Sequence, residues 1–290
     1  MTRDWNKDKQ VITGEYYQAI NLCNIELFNL LKQHQDKTKE TYPLIEYVLE
    51  RIEAAIVLTE NNLLWDAEIV MRAALETLVK FAFISDAGEM ERPQLLKEFW
   101  YDLSEIYTIK LSEQAKKNLS STIGNEMHRL AHSPQILSPE DEVRLRGKWS
   151  KATRSQLEQK WSFTGIVATL TKRAGGELAH GIQLTTHSYR MASHITHGDE
   201  MGINLIRERK SRNDEDKLAV TISHYLRLMM DSFHFCFLMA LYACKYLKSD
   251  PKYFIQLYQS LKQYDDIIKE YQIVPFEDEL YDSYKKTKKE

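Results

Sequence analysis

The sequence predicts an all-α protein, a helical bundle of about nine helices that form one large domain. The share of turn-forming residues supports this fold class, because the 290 residues include only 10 glycines and 6 prolines. So few turn formers favour long uninterrupted helices. Apolar residues also recur at three- and four-residue steps through most of the chain. No segment keeps the two-residue alternation of a half-buried strand.

The first part of the chain predicts an N-terminal arm, residues 1–14, followed by three helices. Residues 15–35 carry an apolar stripe, and a second helix over 43–60 has proline in its first turn, where the missing N–H is tolerated. The third helix covers 63–85 and is apolar on most of its sides. This pattern predicts a central place in the bundle.

The middle of the chain predicts shorter helices. One covers residues 93–109, and Ser112 caps the next. Ser138 and Pro139 mark a further helix start, since a capping serine and a proline are followed by acids at the positive end of the helix dipole. The remaining helices are predicted over 149–159, 163–174, 178–196, 215–247 and 251–271.

Three segments follow from these elements: the arm, a bundle over 15–271 and a lysine-rich flexible tail over 272–290. The helix over 178–196 stops at Gly198, a residue suited to the left-handed turn that ends a helix. The helix over 215–247 is the longest and is apolar nearly all round, as expected of a core helix.

Composition and charge narrow the class of protein. Apolar residues make up 43% and charged residues 28% of the chain, which is typical of a soluble globular protein. The net charge of −3 shows no basic excess, so a nucleic-acid site would have to be local. The three cysteines lie in apolar helical contexts without a C-x-x-C pair, which indicates reduced thiols. We expect a cytoplasmic protein that uses no membrane, because the N-terminus lacks an apolar signal segment and the most apolar run is too short to span a bilayer.

The most informative segment is the end of the helix over 178–196. Arg190 and His197 are seven residues apart, nearly two turns, so both project from one helix face, which His194 shares and Ser193 adjoins. A guanidinium can stabilise charge on phosphoryl oxygens while an imidazole transfers a proton to or from a ribose oxygen. The alternative is structural: Arg190 pairs with a carboxylate, and the histidines favour the negative end of the helix dipole.

A second candidate lies in the central helix, where Arg72 and Glu76 are one turn apart. Opposite charges on an apolar helix are costly to bury unless they are paired. Either the two pair only with each other, or they reach the Arg190/His197 face from a neighbouring helix, where Glu76 orients an arginine or a histidine. Asp66 and Glu68, nearer the start of the central helix, are expected to be solvated or to lie at the positive end of its dipole.

These residues carry two family resemblances. The Arg72-x-x-x-Glu76 helix and the later Tyr189-x-x-x-Ser193-x-x-x-His197 helix resemble an uncharacterised family of bacterial all-helical proteins. Separately, Arg190-x6-His197 resembles the R-x(4–6)-H motif of the HEPN (higher eukaryotes and prokaryotes nucleotide-binding) superfamily, with a HEPN-like core over about 63–248.

The HEPN resemblance implies a helical bundle that dimerises and cleaves RNA without a metal or other cofactor. Arg190 and His197 of two protomers would meet in one catalytic site, with His194 and Ser193 nearby and Arg72, Glu76 and Tyr189 as support. The setting would be toxin–antitoxin or antiphage defence, with a possible antitoxin or defence-system partner protein. Met191 departs from the motif, since the superfamily commonly has a polar residue after the arginine.

Local charge predicts where RNA would bind. Four cations follow the motif, namely Arg207, Arg209, Lys210 and Arg212. A second basic stretch over 144–154 is interleaved with Trp149. Such runs either contact a phosphate backbone or form a solvated surface.

The histidine spacings do not match those of metal sites. His128 and His132 have the i, i+4 spacing of a metal pair, but Arg129 takes the place of the glutamate in H-E-x-x-H. His180, His187 and His194 recur every seven residues and are expected to line a helix interface. We therefore predict no metal and no other cofactor.

Three functions remain open at the level of sequence. The first is a HEPN-like metal-independent endoribonuclease that acts on single-stranded RNA as a homodimer. The second is a non-catalytic helical binding or sensor subunit of a defence or toxin–antitoxin complex. The third is a nucleotide-binding HEPN-type subunit that has lost cleavage, which Met191 would suit.

Overall fold

The computed structural model describes residues 4–121, 125–173 and 177–273. These residues are almost entirely helical and contain no strand, which confirms the all-α class. In chain order the α-helices are α1 (Trp5–Gln33), α2 (Gln35–Thr38), α3 (Tyr42–Glu60), α4 (Leu64–Asp86), α5 (Arg92–Lys97), α6 (Leu103–Ser121), α7 (Glu126–His132), α8 (Pro139–Lys148), α9 (Lys151–Lys160), α10 (Phe163–Arg173), α11 (Glu177–His197), α12 (Glu200–Ser211), α13 (Asp214–Leu247), α14 (Lys252–Leu261) and α15 (Asp265–Ile273).

The chain divides into two compact units. Unit 1 comprises Met1–Asp86 and Thr171–Glu290, and unit 2 comprises Ala87–Leu170. The sequence predicts one large bundle of about nine helices and carries no signal of this division. The described residues form more helices than that, partly because the predicted last helix is split into α14 and α15 by a 3₁₀ turn at Lys262–Tyr264.

Two long helices form the core of unit 1. In α4 the buried residues point to several sides, from Leu64 to Ile84, so the predicted central helix is confirmed. In α13 the buried set is longer still, and it includes two of the three cysteines, all of which are buried free thiols. By length and composition α13 could cross a membrane, but 67% of its most apolar window is buried inside the protein. This burial is consistent with the core helix of a soluble protein.

The N-terminal residues belong to the first helix. The sequence predicts an arm over residues 1–14, yet α1 begins at Trp5 because the Asp4 carboxylate accepts hydrogen bonds from two backbone N–H groups of the first turn. The Trp5 ring also packs edge-to-face against Tyr225 and Tyr271, with ring centroids 6.0 and 5.3 Å apart. These distant contacts fix a segment whose own sequence is too polar to predict a helix. The predicted tail over 272–290 lies outside the described residues from position 274 onward.

Unit 2 is built from α5 to α9 and most of α10, with a π-helical segment, Glu98–Asp102, leading into α6. Ser138 caps α8 with its side chain as predicted, accepting the backbone N–H of Asp141. The predicted helix start at Ser112 is wrong, because this residue lies inside α6 and is buried. Its hydroxyl instead accepts the backbone N–H of Leu137 at 3.0 Å, which ties the loop before α8 to α6.

Candidate functional site

The end of α11 sets the geometry of the predicted motif. Gly198 adopts φ = +56°, a conformation that glycine reaches without a side-chain clash. Its N–H donates to the carbonyl of Ile195 at 3.1 Å, and the next N–H, that of Asp199, donates to the carbonyl of His194 at 3.4 Å. This Schellman arrangement ends the helix at His197 and turns the chain directly into α12.

Arg190 and His197 lie on the outer face of α11. Both are exposed, whereas Ala192, about 200° around the helix from Arg190, is only 2% exposed. Among the residues that the structure describes, none forms a hydrogen bond or ion pair with Arg190 or His197. The two side chains are therefore open to solvent and to a ligand, as the motif requires.

His194 and Ser193 have different surroundings from that pair. His194 Nδ1 lies 2.6 Å from Asp199 Oδ2, and the other oxygen of Asp199 accepts the backbone N–H of Gly202 at 3.0 Å. The hydrogen bond from His194 lowers the pKa of Asp199. His194 thus links the end of α11 to the N-terminal cap of α12, and Ser193 is half-buried beside it.

The sequence does not predict α12, because its basic residues resemble a solvated loop. This helix packs tightly on the end of α11: a Cβ atom added to Gly202 would lie 2.4 Å from the carbonyl oxygen of His194. Only glycine allows this approach of the two backbones. The corner between α11 and α12 is therefore fixed by a close backbone contact and by the Asp199 cap.

The three predicted supporting residues meet where α4 packs on α11. Arg72 and Glu76 form an ion pair with 2.8 Å between Nη2 and Oε1. The Tyr189 hydroxyl donates to Glu76 Oε1 at 2.9 Å and accepts from Arg72 Nη2 at 3.2 Å. The Arg72 guanidinium also lies 5.0 Å from the centre of the Tyr189 ring. Burial raises the pKa of the Tyr189 hydroxyl, so it remains a donor at neutral pH.

This cluster positions the catalytic candidates indirectly. Tyr189 points toward α4, and the next residue, Arg190, projects about 100° around the helix. The contacts to the Arg72–Glu76 pair therefore fix the rotation of α11 about its own axis. Neither alternative drawn from the sequence holds as stated: Arg72 and Glu76 pair with each other but also bond to Tyr189 of α11. Among the described residues, Glu76 orients this tyrosine and forms no bond with Arg190 or a histidine of α11.

The four cations predicted to bind RNA do not lie together on one exposed surface. Arg207 and Lys210 are exposed on α12, as the prediction requires. Arg212 pairs with Glu208, with 2.6 Å between Nε and Oε1. The prediction that Arg209 belongs to an exposed basic surface is wrong. It lies about 200° around α12 from the exposed Arg207, which turns it toward the interior of unit 1.

Arg209 belongs to a polar cluster around His224 of α13. Its Nη1 donates to His224 Nδ1 at 2.7 Å, and its guanidinium lies 4.2 Å from the centre of the Trp65 ring. Burial and the nearby charge of Arg212 lower the pKa of Arg209 to about 10, so the side chain is still charged at neutral pH.

Glu68 forms the other side of this cluster, which corrects the expectation that it is solvated. Its side chain is buried, and its Oε1 lies 2.8 Å from His224 Nε2 and forms an ion pair with Arg227. His224 therefore donates from Nε2 and accepts at Nδ1, as a neutral ring does. Burial and the charge of Arg209 lower the pKa of His224 to about 3, which agrees with this neutral form.

The cluster faces a cavity of about 260 Å³ in unit 1, to which α4, α11, α12 and α13 contribute residues. Sequence reasoning missed this cavity, although a signal was present: α13 is apolar nearly all round, yet it carries His224, Arg227 and Asp231 at three- and four-residue steps. Polar residues at helical spacing in a core helix indicate a buried polar cluster. Met191, the residue that departs from the HEPN motif, also lines the cavity.

The second basic stretch lies in unit 2, where its cations are engaged by carboxylates. Arg144 Nη2 lies 2.7 Å from Asp141 Oδ1, and Arg146 Nε lies 2.9 Å from Glu142 Oε1. Lys148 pairs with Glu105. These ion pairs neutralise much of the positive charge that the sequence suggested for a phosphate-binding surface.

The histidine spacings give no metal centre within the described part of the chain. There, no group of three or more His, Cys, Asp and Glu side chains is placed to hold an ion. His128 and His132 lie side by side in α7, with ring centroids 5.9 Å apart. Of the predicted stripe, the His180 side chain lies outside the described residues, His187 lines the cavity and His194 bonds to Asp199.

Comparison with known proteins identifies one family. Residues 42–216 match a family of unknown function, DUF5677. The match covers more than half of the chain and includes both the Arg72–Glu76 helix and the whole of α11. No curated protein and no solved structure matches the chain.

Proposed function

The chain belongs to the DUF5677 family of unknown function, and we propose that it is a metal-independent endoribonuclease that cuts single-stranded RNA. One observation carries this proposal: Arg190 and His197 are exposed on one face of α11, and no described residue engages them. Their neighbours on the same helix, Tyr189 and His194, are both engaged in contacts that hold the fold. A guanidinium and an imidazole that no described residue contacts can bind a phosphate and transfer a proton in the cleavage of a phosphodiester.

The spacing of the two residues favours a homodimer. Seven residues of α-helix rise about 10 Å, so this distance separates Arg190 and His197 of one chain along the helix axis. Both side chains of one chain would have to extend toward each other to contact the same scissile phosphate. If two copies pair through α11, Arg190 of one protomer can approach His197 of the other. A two-fold axis would then create two equivalent sites per dimer.

The proposed reaction needs only these two side chains and the RNA. His197, as a neutral base, takes the proton of a ribose 2′-hydroxyl, and the resulting oxygen attacks the adjacent phosphorus. The bond from phosphorus to the 5′-oxygen breaks, and the protonated His197 gives its proton to that oxygen, so that the imidazole is neutral again and no net proton is consumed. The products are a 2′,3′-cyclic phosphate and a 5′-hydroxyl end. Arg190 stabilises the negative charge that develops on the phosphoryl oxygens.

The surroundings suggest how RNA would approach the site. Arg207 and Lys210 are exposed on α12, the helix that follows the motif after a single turn. Exposed cations attract the phosphate backbone without reading its sequence. The proposed biological role is a cytoplasmic toxin or antiphage effector, which a partner protein such as an antitoxin would hold in check.

Cleavage by purified protein tests the proposal. Full-length protein is incubated with single-stranded RNA in excess EDTA at about pH 6–8, and the ends of the products are identified. We expect cyclic phosphate ends, and loss of cleavage in Arg190→Ala and in His197→Ala. Arg129→Ala and His128→Ala are matched controls, because they remove an exposed arginine and histidine from α7. Intact RNA with wild-type protein, or full cleavage by the α11 variants, would overturn the proposal.

A second candidate function is a non-catalytic binding or sensor subunit of a defence or toxin–antitoxin complex. The observation that favours it is Met191, which follows the motif arginine and lines the cavity instead of adding a polar group to the outer face. A nucleotide-binding subunit without cleavage activity is a variant of the same idea. Under either, wild-type protein leaves RNA intact, and His197→Ala leaves partner binding unchanged.

A further inference from the structure

The cavity in unit 1 is separate from the outer face of α11. Its lining includes Met191 and Ile195 of α11 but neither Arg190 nor His197. The remaining apolar lining comes from other helices, namely Trp65, Leu205 and Val220. At about 260 Å³ it is slightly smaller than the ~300–1,000 Å³ of pockets for drug-sized ligands. It therefore suits a small molecule with an apolar body.

Two carboxylates and two guanidiniums lie around the cavity, but both carboxylates pair with the same guanidinium. The two carboxylates of the cluster, Glu68 and Asp231, both pair with Arg227. Arg209 lines the same cavity, but its contacts are the neutral ring of His224 and the face of Trp65. Its Nε is buried and has no hydrogen-bond partner. Among the described residues, no carboxylate forms an ion pair with Arg209.

A half-buried guanidinium without a carboxylate partner is unfavourable in a protein interior. The free-energy cost of burying the Arg209 guanidinium falls when an anion enters the cavity, because a carboxylate can accept two parallel hydrogen bonds from one guanidinium. Ser188 and Ser223 also line the cavity, and a hydroxyl can donate a further hydrogen bond to a carboxylate oxygen.

We propose that this cavity binds a small monocarboxylate with an apolar body. The carboxylate lies against Arg209, and the apolar body packs on Trp65 and the aliphatic lining. A single negative charge matches Arg209, the one of the two arginines in the described cavity lining that lacks a carboxylate partner. A phosphate dianion fits less well, since it would bring a second charge close to Glu68 and would leave the apolar lining uncovered.

Thermal unfolding with four probes tests this proposal. Benzoate and hexanoate are expected to raise the melting temperature of the wild type by several degrees when present far above Kd, and the shift should keep growing with the logarithm of the ligand concentration. Benzamide has the shape of benzoate without its charge and should give no shift, and inorganic phosphate should give none either. Equal shifts with benzoate and benzamide, a shift with phosphate alone, or no shift with any probe would overturn the proposal.

Variants of α12 locate the site. Arg209→Gln should abolish the benzoate shift, whereas Arg207→Gln, which removes an exposed arginine of the same helix, should leave it intact. A shift retained in Arg209→Gln would contradict the assignment. If Arg209→Gln does not fold, calorimetry on the wild type decides: hexanoate must reduce the apparent affinity for benzoate competitively, and a lack of competition would overturn the proposal. Because no RNA is present, either result is independent of the proposed ribonuclease activity.

Discussion

Glu68 offers the sharpest test of the polar cluster. Its side chain is 6% exposed, accepts a hydrogen bond from His224 and pairs with Arg227. Glu68→Ala leaves a buried imidazole N–H without an acceptor and removes a carboxylate from Arg227. Loss of one partner of a buried pair costs about 3–5 kcal/mol. We expect the lower end, about 3 kcal/mol, because Arg227 is 36% exposed and keeps Asp231 at 3.1 Å.

Glu68→Gln removes the charge of the side chain but keeps its size and a hydrogen-bond acceptor. The amide oxygen can still accept from His224 Nε2, so only the charge is lost, and we expect a cost of about 1 kcal/mol. Asp66→Ala is the matched control, since Asp66 is an exposed carboxylate in the first turn of α4; its removal should cost about 0.5 kcal/mol. Urea unfolding followed by circular dichroism measures all three. A Glu68→Ala cost no larger than that of Asp66→Ala would refute the reasoning.

Three further predictions concern stability. Tyr189→Phe removes a hydroxyl that bridges α11 to α4, so it should lower the free energy of unfolding by about 1 kcal/mol. Urea unfolding measures this cost, and an unchanged free energy of unfolding would contradict the bridge. The pKa of His224 is about 3 in the folded protein, below the ~6.5 of a histidine in the unfolded chain. Between about pH 6.5 and pH 3 the unfolded state therefore binds more protons than the folded state, and the free energy of unfolding falls as the pH is lowered. The stability advantage of the wild type over His224→Gln should shrink by about 2 kcal/mol from pH 7 to 5, and a constant difference would count against it. Gly202→Ala should lower the melting temperature by several degrees because its Cβ meets the His194 carbonyl, whereas Gly14→Ala, with open space around it, should not; equal effects would contradict the close contact.

The fold class could be predicted because its signals are local. The apolar pattern of α4, the cap of α8 at Ser138 and the stop of α11 at Gly198 each depend on a few neighbouring residues. The first turns of α1 could not be predicted in the same way, since contacts of Trp5 with residues more than 200 positions away hold them. Distant contacts of this kind leave no local pattern.

The same difference between local patterns and distant contacts decides which features of the candidate site could be predicted from the sequence. The outward direction of Arg190 and His197 follows from helical spacing alone. The burial of Glu68 depends on His224, 156 residues further along the chain, and neither residue indicates the other in the sequence. The burial of Arg209 is missed because a run of cations predicts a solvated segment, whereas the helical period of α12 turns one of those cations inward.

Complementation between two inactive variants tests the central claim most directly. Arg190→Ala and His197→Ala proteins are mixed under conditions that exchange subunits, and RNA cleavage in EDTA is measured before and after mixing. If each catalytic site combines Arg190 of one protomer with His197 of the other, half of the dimers are mixed and each of these has one intact site, so about a quarter of the wild-type activity should return. A mixture that stays as inactive as its separate components would contradict a shared site.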